Sequence, residues 1–259
     1  MKYFITSDIH SYFNVLEKEL KKQGFDKNKD TLITLGDNFD RGKESWKIYR
    51  FLSKLPNVIL VRGNHEDLLE ELINRGYPLD HDFHNGTTRT ISDIAKHYNK
   101  IKDLYIYELI HVFKDTSFYN WFRNAAWVDK IDFNNLILTH ATCPNDKFLS
   151  WEDARWENPY YNRVKDKILI SGHWFAWKGR DYKNNTITLY VELEGLLDTE
   201  EGRLEIARPF IDKDLIMIDA CTPLTQKCNI LIYDDESCNL SYNGKVICNS
   251  RDKYIEIES

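Results

Sequence analysis

The segment Ile33-Thr34-Leu35-Gly36-Asp37-Asn38-Phe39-Asp40-Arg41-Gly42 joins an apolar run to two carboxylates and a guanidinium across a single glycine. The run has the length and character of a short buried strand, and it delivers Asp37, Asp40 and Arg41 to its own C-terminal end. In open α/β sheets ligands bind in the crevice outside the carboxyl ends of the strands. Two acids and an arginine at such a place point to a metal ion and a phosphate handled together. A polar β–α loop carrying a surface ion pair is the plainer alternative, and the flanking sequence decides between them.

Upstream, Tyr3-Phe4-Ile5-Thr6 reads as a strand, followed by Ser7-Asp8-Ile9-His10. Asp8 and His10 lie two apart at the end of an extended segment, so their side chains share a direction and can take one borderline cation between them. Ser11 is expected to cap a helix with Phe13, Leu16 and Leu20 on one face and Gly24 at its stop. Downstream, a helix is expected over about residues 43–55, punctuated by Pro56. Val58-Ile59-Leu60-Val61 is then a third strand, and it delivers Arg62-Gly63-Asn64-His65-Glu66. Leu68, Leu69, Leu72 and Ile73 mark the following helix, with Gly76 closing it. Glu66 and Asp67 fall in its first turn, where the helix dipole favours acids, and read as structural; Asn64 and His65 precede it and read as functional. Strand and helix alternating in this way imply β-α-β units and a mostly parallel inner sheet.

Between residues 77 and 133 the strand signal fades. Ile91, Ile94, Ala95 and Tyr98, then Ile101, Leu104, Tyr105, Leu109 and Val112, recur at helical spacing, and Trp121, Phe122 and Trp127 follow. The expectation is one domain over residues 1–259, with 77–133 as a helical insertion whose aromatics form core. Leu136-Ile137-Leu138-Thr139 is the next strand and ends on His140-Ala141. After a loop over residues 143–167, Ile168-Leu169-Ile170-Ser171 ends on Gly172-His173-Trp174. Residues 186–193 carry some strand character, and an acidic connection follows. Leu215-Ile216-Met217-Ile218 and Asn229-Ile230-Leu231-Ile232-Tyr233 read as paired strands, and residues 241–247 as a last strand with a hairpin around Asn243-Gly244.

One arrangement thus recurs five times. Each apolar strand is followed at once by residue types that bind metals: Asp8 and His10, Asp37, Asn64, His140 and His173. Sequential strands lie near one another, so these ends converge on one rim. Three histidines, two aspartates and one asparagine are too many ligands for one ion; they suit two divalent ions with a shared carboxylate. Such a pair lowers the pKa of a water and clamps the oxygens of an in-line displacement at phosphorus, which makes a phosphate ester or anhydride the natural substrate. Arg41 and Arg62 each stand beside one of these residues, where a guanidinium can grip phosphate oxygens in a bidentate way. His65 is placed to give a proton to the leaving oxygen, and Asp40 to hold its imidazole in the useful tautomer.

Composition agrees with such a protein. A chain of 259 residues with 42% hydrophobic and 29% charged residues can bury a sizeable core. Its formal charge of −6 gives no general attraction to nucleic acid or anionic membrane, so phosphate binding must come from local cations. No apolar run reaches membrane-spanning length. A strand at residue 3 leaves no expectation of a leader, and five cysteines without zinc-knuckle spacing fit reduced thiols in a cytoplasmic protein.

As a set, Asp8-Ile9-His10, Gly36-Asp37-Asn38-Phe39-Asp40-Arg41-Gly42, Gly63-Asn64-His65-Glu66, His140-Ala141 and Gly172-His173 resemble the motif blocks of the calcineurin-like metallophosphoesterases, and more narrowly their phosphoprotein-phosphatase branch. The resemblance implies an α/β (α+β) fold: a two-layered mixed β-sandwich flanked by helices, where the pattern alone would allow a plain doubly wound sheet. It implies that Asp8 and His10 bind a first metal, that Asp37 bridges, and that Asn64, His140 and His173 hold a second. It makes His65 the acid, Asp40 its partner, and Arg41 and Arg62 phosphate clamps. The expected cofactors are two divalent ions, manganese first, with iron, zinc or magnesium as alternatives, and the expected reaction is in-line attack by a metal-bridging hydroxide. Asp40-Arg41-Gly42 and Arg62-Gly63-Asn64-His65-Glu66 look like bacterial and phage serine/threonine protein phosphatases; Gly172-His173-Trp174, with Ala176 and Gly179, resembles the symmetrical diadenosine tetraphosphate hydrolases. The implied substrate is a phosphorylated protein or a small phosphate ester or anhydride, and a non-catalytic phosphate-binding module is the remaining possibility. Ser7 and Ser11 replace glycines of the family pattern and read as close-packing positions. The arginine that usually follows the loop tryptophan is missing after Trp156, with Arg155 or Arg163 as stand-ins. Residues 181–209 have no recognised counterpart.

Overall fold

Apolar residues alternate between two destinations along nearly every strand, and this alternation sets the architecture. In the computed structural model, which describes residues 1–99, 104–147 and 149–255, the first third runs β1 (Lys2–Thr6), α1 (Phe13–Lys22), β2 (Thr31–Thr34), α2 (Ser45–Leu52), β3 (Val58–Val61) and α3 (Asn64–Arg75). Four helices follow, α4 (Asp80–Asn85), α5 (Thr87–Asn99), α6 (Ile106–Lys114) and α7 (Ser117–Asn124), then β4 (Trp127–Val128), β5 (Lys130–Phe133) and β6 (Leu136–Thr139). The chain continues through α8 (Trp151–Ala154), β7 (Ile168–Phe175), α9 (Ala176–Asn184), α10 (Tyr190–Leu197), α11 (Glu200–Ala207), β8 (Phe210–Asp212) and β9 (Leu215–Asp219). It closes with α12 (Thr222–Thr225), β10 (Leu231–Asp234), β11 (Asn239–Tyr242) and β12 (Lys245–Asn249).

These strands make two mixed sheets, one of seven strands in the order β12-β11-β10-β1-β2-β3-β4 and one of five in the order β5-β6-β7-β9-β8. Ile5, Ile33 and Val61 from the first sheet meet Leu136, Leu138, Ile168, Ile170, Ile216 and Ile218 from the second in one buried layer. Their neighbours one residue away point outward. Phe4, Leu32 and Leu60 pack under the helices of the first half of the chain, while Ile137, Leu169, Leu215 and Met217 form the outer core of the second sheet. That period of two, with both faces buried, is what a two-layered sandwich flanked by helices demands. Strands β1, β2 and β3 are parallel to one another, as are β6, β7 and β9, so in each layer the C-terminal strand ends share a rim.

Several expectations need correction. Helix α1 starts at Phe13 with Tyr12 at its cap; Ser11 has a positive φ of 61°, and its hydroxyl instead bonds Ser45 Oγ at 2.8 Å. The stretch 77–133 ends in two strands, β4 and β5, one extending each sheet; Ile101 lies outside the described residues. The expected strand over 186–193 is a loop running into helix α10. Glu192 there accepts the Leu189 N–H as an N-terminal cap at 3.0 Å, and Leu193 and Leu197, four apart, reach Trp177 and Ile206. The runs at 215–218 and 229–233 do not pair: β9 lies between β7 and β8, and β10 between β1 and β11. Both feed the layer between the sheets, which gives them the same apolar signature. Finally, Asn243-Gly244 separates two strands, β11 and β12, rather than lying beside one.

Candidate metal centre

The rim where these strand ends meet is built from unusual backbone. Asp8, His10, Asp37, Asp40, Arg41 and His173 all have positive φ, between 47° and 69°, a region that costs non-glycine residues of order 1–3 kcal/mol each. The layers approach closely there: a Cβ on Gly36, whose φ is +87°, would sit 2.6 Å from Gly63 Cα and 2.7 Å from His140 Nδ1. His173 is not beyond a strand end but inside β7. Between the pairings Ser171–Met217 and Phe175–Asp219, β7 advances four residues and β9 only two, a bulge that turns the imidazole toward the rim.

Hydrogen bonds then fix each side chain. His10 Nδ1 is 3.0 Å from Phe39 O, so it carries the proton and leaves Nε2 facing Asp37 Oδ2 at 3.7 Å and Asp8 Oδ1 at 4.0 Å. His140 Nδ1 donates to Leu35 O at 2.6 Å, and its Nε2 then faces Asn64 Oδ1 at 2.8 Å and Asp37 Oδ1 at 3.4 Å. Lone pairs of nitrogen and oxygen thus converge with no proton to share, an arrangement that a cation would satisfy. His173 Nε2 donates to Trp156 O at 3.2 Å, leaving Nδ1 as its free nitrogen. Asp8 Oδ2 accepts from the His173 N–H at 3.0 Å and from the Ser7 hydroxyl, leaving Oδ1 for a ligand. Ser7 therefore orients Asp8 rather than merely filling space, and Gly172 leaves room for it.

Ligand atoms of His10, Asp37 and His65 lie within 4.8 Å of one another, as do those of Asp37, His140 and His173; Asp37 belongs to both sets. His65 fits the ligand role poorly, because both nitrogens have protein partners: Nδ1 meets Asp40 Oδ2 at 2.8 Å and Nε2 meets Arg41 Nη2 at 3.3 Å. Electrostatics follow from burial. Desolvation and then the charge of Asp37 push Asp8 up to about 6. Desolvation would also raise Asp37, but His140, His65, His10 and His173 together hold it below the ordinary carboxylate range. Burial and then His140 push His173 down to about 3, and burial likewise drives His10 well below its ordinary value. Neutral imidazoles and carboxylates are the protonation states that bind divalent metals, and a nitrogen–oxygen donor set without thiolate suits manganese, iron or zinc.

The structure adds residues that the sequence reading passed over. Glu66, read as a dipole acid, is fully buried. Its two oxygens accept the N–H groups of Asp37, Asn38 and Gly63, each at 2.9 Å, and Asn38 Nδ2 at 3.2 Å. Glu66→Gln would turn an amide donor toward these donors, and unfolding in denaturant should show a loss of about 3 kcal/mol. Asp40 is held by Thr87 Oγ1 at 2.8 Å and Thr90 Oγ1 at 2.7 Å, which brings the start of α5 into the site. Arg62 is engaged by Asp67 Oδ1 at 2.6 Å and by Glu70. The second oxygen of Asp67 takes Arg155 Nη1 at 2.7 Å, and Asp129 takes Arg155 Nη2 at 2.5 Å. Arg163 instead pairs with Asp212 and Asp214, at the end of β9 opposite the rim. A groove of about 600 Å³ beside α11, lined by Glu201, Glu205 and Arg208, contains none of the candidate residues.

The calcineurin-like phosphoesterase family model matches residues 1–194. The symmetrical bis(5'-nucleosyl)-tetraphosphatase of Shewanella frigidimarina is 28% identical over 148 residues, 56% of this chain and 46% of that protein. Serine/threonine-protein phosphatase 2 of Escherichia coli is 37% identical over 73 residues, 28% of this chain and 33% of that protein. The chain thus spans less than half the length of either curated relative. Among solved structures, the cold-active protein-tyrosine phosphatase of a psychrophilic Shewanella aligns with a TM-score of 0.53 at 15% identity, over 93% of this chain and 77% of that one, a likeness of fold alone. Among the described residues, no helix is long and apolar enough to cross a membrane.

Proposed function

Because the chain belongs to the calcineurin-like phosphoesterase family, we propose that it is a metal-dependent hydrolase of phosphate esters whose leading substrate is a phosphoserine or phosphothreonine side chain. The observation that carries this reading is the pair of ligand clusters sharing Asp37. Asp8 and His10 would hold one ion, Asn64, His140 and His173 the other, with Asp37 common to both. When bound, two divalent ions, manganese first, supply Lewis-acid polarisation of the phosphate and a lowered pKa for water.

The chain's own residues do the rest. Asp40 accepts from His65 Nδ1 at 2.8 Å, so Nε2 is the nitrogen that exchanges a proton with the leaving oxygen. Burial alone would lower the His65 pKa, but Asp37 and Asp40 outweigh it and the pKa lies above the ordinary value, as an acid catalyst near neutrality requires. Arg41, beside Nε2, would bind a phosphate oxygen. Of the two stand-ins for the missing loop arginine, Arg155 is favoured, because it shares Asp67 with Arg62. The same reading takes residues 1–259 as one domain, with 77–133 inserted in it.

A second reading, hydrolysis of dinucleoside polyphosphates, is favoured by Trp156. The residue is 47% exposed and its ring stands edge-on to His173 at 5.9 Å, leaving an indole face for a nucleobase beside the rim. Assaying manganese-loaded protein on a phosphopeptide, diadenosine tetraphosphate and a cyclic nucleotide separates the readings. The phosphopeptide should have the largest kcat/KM; a reversal in favour of diadenosine tetraphosphate establishes the second reading, and no turnover of any of the three leaves only a binding module.

A further inference from the structure

We propose that Asp219 is a third carboxylate of the metal centre, a positioning residue that supplies negative charge across the β7 bulge from Asp8 and strengthens the hold on the ion pair. The inference rests on the metal-dependent reading above.

Asp219 ends β9, the neighbour of β7, and pairs with Phe175 across the bulge that carries His173. The carboxylate of Asp8 lies against the other side of that bulge, accepting the His173 N–H and filling the space that Gly172 leaves open. The β7 bulge is therefore flanked by one acid from each layer. Asp219 is 2% exposed, and among the described residues its hydrogen bond comes from the Cys221 N–H at 2.7 Å. No lysine, arginine or histidine among them forms an ion pair with it. Burial and then the like charge of Asp8 raise its pKa well above the ordinary carboxylate value, with Arg41 opposing them. Cys221, which closes the turn, has a φ of 54°, the same left-handed corner found at Asp8, Asp37 and His173.

A wholly buried carboxylate without a cation is costly, and buried charges in proteins are paired or face metals. Here the fold spends backbone strain to place such a group across the β7 bulge from Asp8. Two divalent ions carry four positive charges, of which Asp8 and Asp37 cancel two. A third carboxylate leaves the centre closer to neutral, attracting the ions while keeping positive charge for a phosphate. The cost is borne by the metal-free protein and recovered on metal binding.

Manganese titration by calorimetry of metal-stripped wild type, Asp219→Asn and Asp219→Glu tests this, with the melting temperature of each stripped protein measured alongside. Asp219→Asn should weaken binding of the less tightly held ion by about ten-fold or more, with a metal-free melting temperature equal to or above that of wild type, and Asp219→Glu should recover part of the affinity. Manganese affinities within two-fold of wild type overturn the proposal, as does a lowered metal-free melting temperature without any change in affinity, which is the mark of a purely structural residue. Wild type that takes up no manganese overturns the metal reading and this proposal together.

Discussion

Asp37→Ala will leave the protein empty of divalent metal after dialysis, whereas Asp40→Asn will keep its metal and lose about a hundred-fold in kcat. The two acids stand three apart in one loop, yet their surroundings differ. Asp37 Oδ1 is 3.4 Å from His140 Nε2 and Oδ2 is 3.7 Å from His10 Nε2, so one carboxylate reaches both clusters. Asp40 is fully buried among Thr87, Thr90 and His65 Nδ1, which satisfies its oxygens without an ion. Metal analysis of the dialysed variants, together with steady-state rates, checks this division of labour. Equal metal loss in the two variants would sink it.

His65→Asn is expected to slow hydrolysis of an alkyl phosphate by about a thousand-fold and of an aryl ester with a good leaving group by less than ten-fold, with metal content unchanged. A poor leaving oxygen needs a proton as its bond to phosphorus breaks, and a good one does not. His65 is oriented by Asp40, and its pKa is raised above the ordinary value because Asp37 and Asp40 outweigh desolvation. Asparagine keeps a side chain able to reach Asp40 but cannot deliver the proton. Equal losses on the two substrates would assign His65 to binding instead.

The strand ends were legible because hydrophobic runs and metal-ligand residue types are local signals that a sequence displays side by side. Asp8, His10, Asp37, Asn64, His140 and His173 come together on one rim as that pattern requires. Asp219 carries the same signature, an apolar run ending on an acid. Thr87 and Thr90 have no such signal: a threonine at the start of a helix looks the same whether it caps the helix or holds a buried aspartate some fifty residues away in sequence. Glu66 obeys the first-turn preference for acids and serves the loop of Asp37 as well, and one letter cannot show both. The expected strand over 186–193 failed because β-branched and aromatic residues there pack at helical spacing once Glu192 caps the turn. The ties of Arg62 to Asp67 and Glu70 depend on a helix turn that spacing alone does not bring into view.

Six of the ten candidate residues occupy left-handed backbone, and this bears on what the motifs mean outside this protein. A short peptide or a grafted loop with the same letters would relax toward ordinary φ values, because nothing would hold it in the costly ones. The letters are therefore not portable. They work only where two packed sheets close around them, so transplanting the site into another scaffold means transplanting the corners first and the side chains second.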